Sequence, residues 1–464
     1  MTYDILVLGS GPGGYVAAIR AAQLGLKTAV IERAELGGIC LNWGCIPTKA
    51  LLKSAQVFNY LSHAQNYGIS VEGSLKPDFE AIIKRSRGVS DMMSKGVQFL
   101  LKKNNVEVIS GNGVLKPHKQ IEVTDVAGVV SVYTAQHIII ATGARSRVLP
   151  NLPQDSKKII GYREALTLEK QPESMLVVGS GAIGSELAYF YASLCTKVTL
   201  VEFLPNIVPN EDEEISKLLD RSFRKMGVKT MVNSEVLSVD TSNGNCKAQI
   251  KDAKGQLMEL ETEIVLSAVG VQTNIENIGL EECGIAVQRS KVQVDDFYKT
   301  NVEGYYAIGD VVHGPALAHV ASHEALICVE KIAGKNPHPM NYDNIPACTY
   351  CTPEIASLGM TEKKALESGK ELLIGKFPFT ASGKATASGN RDGMVKLIFD
   401  KESEKIVGAH LIGDNVTEMI SGLSVARQNG LTCGDILHSV HPHPSLSEAI
   451  MEAAAAAKNE AINI

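Results

Sequence analysis

Tyr3-Asp4-Ile5-Leu6-Val7-Leu8-Gly9-Ser10-Gly11-Pro12-Gly13-Gly14 is an apolar run that turns through glycines into a helical pattern extending to about Leu24. A second apolar run, Thr28-Ala29-Val30-Ile31, ends at Glu32. Gly9, Gly11 and Gly14 make GxGxxG, a turn too tight for side chains, whose amides and helix dipole suit a pyrophosphate. Glu32 stands where an acid accepts from ribose hydroxyls, and strand, turn, helix and acid together carry far more weight than the glycines alone. The unit then recurs. Met175-Leu176-Val177-Val178 leads into Gly179, Gly181 and Gly184, a helix from about Ile183, and Lys197-Val198-Thr199-Leu200-Val201 ending in Glu202. In both copies the acid lies 23 positions after the first glycine, since 32 − 9 and 202 − 179 agree. The chain therefore reads as α/β, with two Rossmann-like dinucleotide-binding domains and two dinucleotides.

The second copy selects between nicotinamide cofactors. Glu202 can accept from a free 2′-hydroxyl but would repel a 2′-phosphate, and Phe203-Leu204-Pro205-Asn206 brings no cation to offset that repulsion. NAD is expected rather than NADP.

A chain of 464 residues exceeds a single core and is expected to form several domains. Charged residues at 21% and hydrophobic residues at 45% fit a globular enzyme, and a net charge of −6 gives no footprint for nucleic acid. No apolar run reaches the roughly 20 residues that span a bilayer. Tyr3 to Leu8 read as strand, without a basic leader or cleavage site, so a cytoplasmic location is expected, with the nine cysteines mostly free thiols.

Two of those cysteines stand out in Gly37-Gly38-Ile39-Cys40-Leu41-Asn42-Trp43-Gly44-Cys45-Ile46-Pro47-Thr48-Lys49. Positions five apart on a regular helix rise roughly 7.5 Å and point about 140° apart, too far for a disulfide spanning about 4.4–6.8 Å between Cα atoms. A bridge here needs a distorted helix, and Gly44 and Pro47 are places for the distortion. A strained or accessible disulfide is the labile, catalytic kind. In isolation such a pair is more often two buried thiols in a helix. Near the other end, His443 is followed by Pro444, with Glu448 five residues on. A histidine whose second nitrogen is held by an acid has the orientation of a general base, although alone it is more often structural.

With the glycine turns, the cysteine pair and the histidine–acid pair in this order, the chain resembles the pyridine-nucleotide disulfide oxidoreductases along nearly its whole length. Among them it is most similar to the branch that oxidises dihydrolipoamide. Trp43 departs from the usual signature, which has a small aliphatic residue there, as does Thr48, where Ser is usual, and Ser445, where Thr is usual. The resemblance implies four domains: 1–147 binding FAD, 148–274 binding NAD, 275–343 completing the FAD site, and 344–464 forming a dimer interface of α+β type with long amphipathic helices. It implies FAD and NAD as cofactors and a homodimer in which the histidine reaches the partner's disulfide. It further implies a lipoyl-carrying partner protein from a 2-oxo acid dehydrogenase complex or the glycine cleavage system. No nucleic acid or membrane partner is expected.

Residue by residue, the resemblance makes Cys40 the substrate-facing sulfur, Cys45 the flavin-facing one, His443 the base and Glu448 its orienting acid. His441 has the wrong relation to Pro444 and Glu448. Lys49 would approach the flavin's reactive nitrogen and pair with Glu186, though an exposed helical lysine fits as well. Thr300-Asn301-Val302-Glu303-Gly304-Tyr305-Tyr306-Ala307-Ile308-Gly309-Asp310 matches the second flavin fingerprint. Gly309 lets the backbone approach and Asp310 accepts from a sugar hydroxyl; a helix cap is the plainer role for Asp310 alone. Leu317, Ala318 and His319 start a helix facing the flavin ring. Gly113, Thr142 and Gly143 complete the FAD set, and Val236 and Gly270 join Glu186 in the NAD set. Where the family often has Arg and Pro after that glycine, this chain has Val271-Gln272-Thr273-Asn274. Cys348 and Cys351 invite a metal reading, but they fall in an expected strand, where residues three apart face opposite ways, and no second ligand pair follows. Ordinary buried thiols and no metal are expected.

Rival members are less similar. Glutathione reductase uses NADPH, against Glu202; mercuric reductase carries an extra C-terminal cysteine pair; soluble transhydrogenases lack the paired cysteines. A scaffold subunit without catalysis would have no use for Cys40, Cys45 and His443 together.

Overall fold

The computed structural model describes residues 2–464, which divide into two compact units. The first comprises residues up to Ala50, Ala81–Arg147 and Gly270–Tyr342. Its sheet runs β3 (Glu107–Ser110), β2 (Thr28–Glu32), β1 (Thr2–Leu8), β6 (Val130–Ile140), β5 (Gln120–Thr124), β4 (Asn112–Lys116). β1, β2, β3 and the C-terminal half of β6 are parallel, with Leu8 level with Ile31 and Ile140. Strand Tyr305–Ala307 adds to β6 in parallel, so the late segment completes the early sheet. Ile5, Leu6, Val7, Ile138, Ile139 and Ile140 are buried. Their unbroken apolar runs reflect a parallel sheet covered on both faces. Helix α1 (Pro12–Gln23) packs against the helix Ala318–Ile332. Helix α2 (Gly38–Asn42) precedes α3, which starts at Cys45 and runs to Ser62, and α4 covers Phe79–Lys103.

The second unit comprises Leu51–Glu80, Val148–Val269 and Asp343–Ile464. It holds a parallel sheet in the order Lys229–Met231, Lys197–Val201, Ser174–Val178, Ile264–Ser267, Ile159–Ile160. The helix Ala182–Ser193 follows the central strand, repeating the arrangement of α1 after β1. Three antiparallel strands (Glu235–Asn243, Asn245–Lys251, Leu257–Thr262) form a separate sheet. The C-terminal segment builds an antiparallel sheet ordered Ala347–Thr349, Glu354–Gly359, Ile406–Gly413, Met394–Asp400, Leu372–Pro378. Its helices are shorter than expected: Val416–Gln428 has 13 residues and Glu448–Ala457 has 10. Gly430 and Asn459 adopt left-handed backbone just beyond these two helices and stop them.

Two further expectations need correction. The strand holding Cys348 ends at Thr349, so Cys351 lies in a bend and the opposite-face argument does not apply. Cys351 is fully buried and its Sγ donates to Pro353 O at 3.3 Å, while Cys348 is half-buried. Pro47 is not the point of distortion either. It lies in the first turn of α3, where its missing N–H costs little, and the chain breaks at Trp43 and Gly44.

Candidate functional site

The first unit builds a phosphate cradle from its glycine turn. Gly9 has φ +102°, and a Cβ there would meet Ala141 O at 2.4 Å; one on Gly14 would come within 1.9 Å of Gly9 O. These two glycines are demanded by the protein itself. Gly11 is different, because its φ of −61° suits any residue and an added Cβ meets nothing within 4 Å. Open space above a glycine at a helix N-terminus is what an approaching pyrophosphate requires. Glu32 Oε2 accepts from Ser10 N at 2.9 Å and Ser10 Oγ at 2.7 Å, and its Oε1 accepts from Ala34 N at 2.9 Å. These three bonds take up three of a carboxylate's roughly four acceptor positions, so a ribose hydroxyl still finds a lone pair on Oε1.

The same unit brings the second fingerprint to this cradle's sheet. Gly309, at φ +72°, begins a short turn after Tyr305–Ala307, and its amide donates to Glu324 Oε2 at 2.6 Å. Tyr342 OH donates to Glu324 Oε1 at 2.6 Å. Burial pushes the Glu324 carboxyl up to about 7, partly opposed by those two hydrogen bonds. Burial also raises Asp310, against the nearby Lys291 ammonium. Leu317 caps the helix that begins at Ala318 and His319. Thr142 Oγ1 donates to Asn274 O at 2.7 Å, and Gly143, at φ +68°, accepts from Asn274 N at 2.8 Å. Gly113 has a packing reason for its identity, since a Cβ would strike Leu8 Cδ1 at 2.5 Å.

The cysteine pair is laced to the cradle. Gly37 N donates to Ser10 O at 3.0 Å, and Gly38 lies so close to Gly11 that a Cβ would come 2.6 Å from its Cα. Cys40 sits on α2 and Cys45 is the first residue of α3, with Trp43 and Gly44 as the break. Trp43 N still bonds Ile39 O at 2.7 Å, and Thr48 Oγ1 donates to Gly44 O at 2.6 Å. Both cysteines are thiols, hydrogen-bonded to each other. That bond, then burial, raises the Cys40 thiol, with Lys49 opposing and Asp310 reinforcing. Cys40 therefore keeps its proton against its partner, and Cys45 occupies the helix end that favours an anion. Around the pair, Arg85, Ser86, Arg87 and Ser94 of α4 all donate to main-chain carbonyls of residues 36–50.

The second unit repeats the cradle closely. Gly179 has φ +94° with a Cβ destined for Ala268 O at 2.5 Å, Gly184 would meet Gly179 O at 1.9 Å, and Gly181 again faces open space. Glu202 Oε2 accepts from Ser180 N at 2.9 Å and Ser180 Oγ at 2.7 Å, and Oε1 from Leu204 N at 2.9 Å. Ile183 is partly exposed beside the turn, while Glu186 is buried and accepts from Tyr350 N at 2.9 Å. Val236 is buried against the sheet, and its carbonyl accepts from Asn151 Nδ2 at 3.0 Å. Gly270 belongs to the first unit, where it has φ +101° and accepts from Arg147 N at 3.0 Å. Ser10 and Ser180, the residues that hold both acids, escaped the motif reading, although the same serine following the first glycine of each copy was the available signal.

His443 and Glu448 are both in the second unit. His443 Nδ1 is 2.9 Å from Glu448 Oε1, and Glu448 Oε2 accepts from Ser445 N at 2.9 Å. The Ser445 amide first, and His443 after it, hold the Glu448 carboxyl below its usual range against a small burial penalty. The imidazole is 79% exposed with Nε2 directed away from the acid that holds Nδ1. His441 bonds instead to Ser439 O. Among the described residues no cluster of three or more His, Cys, Asp or Glu suits a metal, and no helix is long and apolar enough to cross a membrane.

Two nucleotide cradles, one of them laced to a dithiol, define a pyridine nucleotide-linked disulfide oxidoreductase, and the chain belongs to that family. Residues 3–325 match the pyridine nucleotide-disulphide oxidoreductase model and residues 345–454 its dimerisation domain. FAD and NAD are its cofactors, and the C-terminal sheet is a dimerisation domain. Among curated proteins, it is 47% identical over 477 residues to a dihydrolipoyl dehydrogenase of Rhizobium etli, covering 100% of this chain and 99% of that one. It is 48% identical to the dihydrolipoyl dehydrogenase of Zymomonas mobilis, covering 99% of both. Among solved structures, LpdA from Mycobacterium tuberculosis superposes with a TM-score of 0.90 at 28% identity, covering 97% of this chain and 98% of that one. RclA, an HOCl-induced flavoprotein disulfide reductase from Escherichia coli, gives 0.88 at 26% identity, covering 98% and 99%.

Proposed function

We propose that the protein oxidises the dihydrolipoyl group of a lipoyl-carrying protein and passes the electrons to NAD. It acts as a homodimer in the cytoplasm, serving a 2-oxo acid dehydrogenase complex or the glycine cleavage system. The observation carrying this reading is the hydrogen-bonded Cys40–Cys45 pair across a helix break that is tied to the first cradle.

The chain's own residues divide the work as follows. His443, its Nδ1 proton held by Glu448, presents Nε2 as a base and takes a proton from one substrate thiol, because only the thiolate attacks. That thiolate attacks Cys40 Sγ of the partner subunit, breaking the Cys40–Cys45 bond and leaving the Cys45 sulfur as a thiolate. The second substrate thiol loses its proton and attacks the substrate sulfur of the mixed disulfide, which closes the lipoyl ring and frees Cys40. Two electrons and two protons have then left the substrate. FAD held in the first cradle would supply the two-electron chemistry that links this dithiol to NAD.

Gly9, Gly11, Gly14 and Glu32, with Gly309 and Asp310 from the returning chain, hold the FAD. Gly113, Thr142, Gly143, Leu317, Ala318, His319 and Lys49 shape its surroundings. Gly179, Gly181, Ile183, Gly184, Glu186, Glu202, Val236 and Gly270 hold the NAD. The four-domain division at 147, 274 and 343 is part of this reading.

Anaerobic mixing of the yellow protein with dihydrolipoamide, then NAD, tests the proposal. Flavin bleaching followed by NADH formation is expected. A flavin that NADH reduces but dihydrolipoamide does not would refute the substrate while leaving the fold class intact. Cys45→Ser should abolish the long-wavelength absorbance of the half-reduced enzyme; its survival would refute the assignment of Cys45 to the flavin side.

A further inference from the structure

Helix α4 grips the redox segment on both sides of its break. Ser94 Oγ donates to Leu36 O at 2.9 Å and Arg87 Nη1 to Asn42 O, ahead of the break. Ser86 Oγ donates to Pro47 O at 2.8 Å and Arg85 Nη1 to Ala50 O at 2.7 Å, beyond it. Trp43 occupies the break itself. Its ring lies under Arg87, whose Cζ is 4.2 Å from the centroid, and its Nε1 donates to Glu35 Oε2 at 3.4 Å. Arg87 thus holds both the last carbonyl of α2 and the side chain of the residue that interrupts it.

We propose that Arg87 is a positioning residue for the Cys40–Cys45 pair, setting its thiol–disulfide equilibrium by fixing the break through Trp43 and Asn42. The two thiols tolerate a range of separations, whereas the disulfide accepts Cα distances only within about 4.4–6.8 Å. A clamp on the break therefore favours the disulfide over the dithiol, because ordering needed for closure is already in place. This inference rests on the reading of the pair as redox-active.

The test is equilibration of the flavin-loaded protein with dithiothreitol buffers. The Cys40–Cys45 disulfide and reduced dithiothreitol exchange two electrons and two protons to give the protein dithiol and oxidised dithiothreitol. Acid quenching, alkylation and peptide mass analysis read the state of both cysteines. Trp43 is the single tryptophan of the chain, so its emission reports the break independently. A cation–aromatic stack that is partly desolvated is worth about a 5- to 30-fold change in equilibrium. Arg87→Ala is expected to shift the equilibrium by about that factor toward the dithiol and to red-shift the emission. Arg87→Lys, which keeps a charge and a donor but not the planar stack, is expected to fall between Arg87→Ala and wild type, and it serves if the alanine variant does not fold.

An Arg87 variant that keeps its flavin and titrates within twofold of wild type in both readouts overturns the positioning role. A wild-type protein in which dithiothreitol never exchanges with this pair overturns the underlying redox reading instead. A fall in thermal stability with an unmoved equilibrium assigns Arg87 a purely structural role, which also overturns the proposal.

Discussion

Replacing Glu448 by Gln removes one acceptor from a site that needs two. Its oxygens accept separately from His443 Nδ1 and Ser445 N, each at 2.9 Å. A glutamine has a single acceptor oxygen, and the Ser445 amide, fixed by the main chain, has first claim on it. The glutamine NH2 then faces Nδ1 and favours the tautomer whose proton sits on Nε2, where the imidazole cannot accept one from substrate. A hydrogen bond to a charged group contributes about 1.5–3 kcal/mol, or roughly 10- to 150-fold. With the imidazole 79% exposed the lower part of that range applies, so kcat/KM for dihydrolipoamide should fall about 10- to 50-fold at neutral pH. The control is NADH oxidation by a dye that takes electrons directly from the flavin, which bypasses His443 and should stay within about twofold of wild type. Full retention of dihydrolipoamide activity refutes the reasoning. Equal losses in both assays show general damage rather than a lost base.

Three other perturbations probe the scaffold. Lys396 is 1% exposed and lies 2.8 Å from Asp212, 2.7 Å from Glu214 and 2.6 Å from Glu362. Lys396→Met strands the buried Asp212 carboxylate and should cost about 3 kcal/mol or more in urea denaturation; an unchanged midpoint would contradict this. Gly181→Ala meets no atom and needs no unusual φ, so the melting temperature should hold or rise slightly while the KM for NAD climbs at least about tenfold; an unchanged KM removes Gly181 from the cofactor path. Glu324, at about 7 in the folded state against an ordinary 4.5, keeps its proton through a window in which the unfolded chain loses it. Its contribution to stability is therefore present below pH 4.5 and is lost as pH rises through 7, by up to about 3 kcal/mol. Glu324→Gln, a neutral mimic, should flatten that part of the stability profile, and an identical slope in both proteins would show that Glu324 does not titrate there.

Much of this molecule was legible because its functional elements are local. Each glycine turn, with its strand, helix and acid, lies within about thirty residues, and the structure reproduces both, from β1 to Glu32 and from Ser174 to Glu202. The need for a helix break between Cys40 and Cys45 also followed from helical geometry alone. Its position did not: glycine and proline both offer distortion, and only the chain path shows Pro47 absorbed into the first turn of α3. What stayed hidden depends on contacts between distant positions. Arg87 reads as one charge on an amphipathic helix until its partner Asn42 is in place 45 residues away. Glu324 reads as a helical acid until Gly309 and Tyr342 close on it. Cys351 belongs to the expected strand by position alone, and the bend after Thr349 that takes it out of the strand is set by packing that no short pattern encodes.

Glu32 and Glu202 are each fastened by a serine, that serine's amide and one further backbone amide, with matching distances in the two copies. A free glutamate gives up about 1.5–2 kcal/mol of rotamer freedom when it is immobilised. Here the fold has already frozen that motion before any nucleotide arrives. Each cradle behaves as a rigid mould, so association at either one is governed by what the ligand brings and by the water it displaces. Exchange of one nicotinamide for another can then proceed turnover after turnover without the acid having to find its place again.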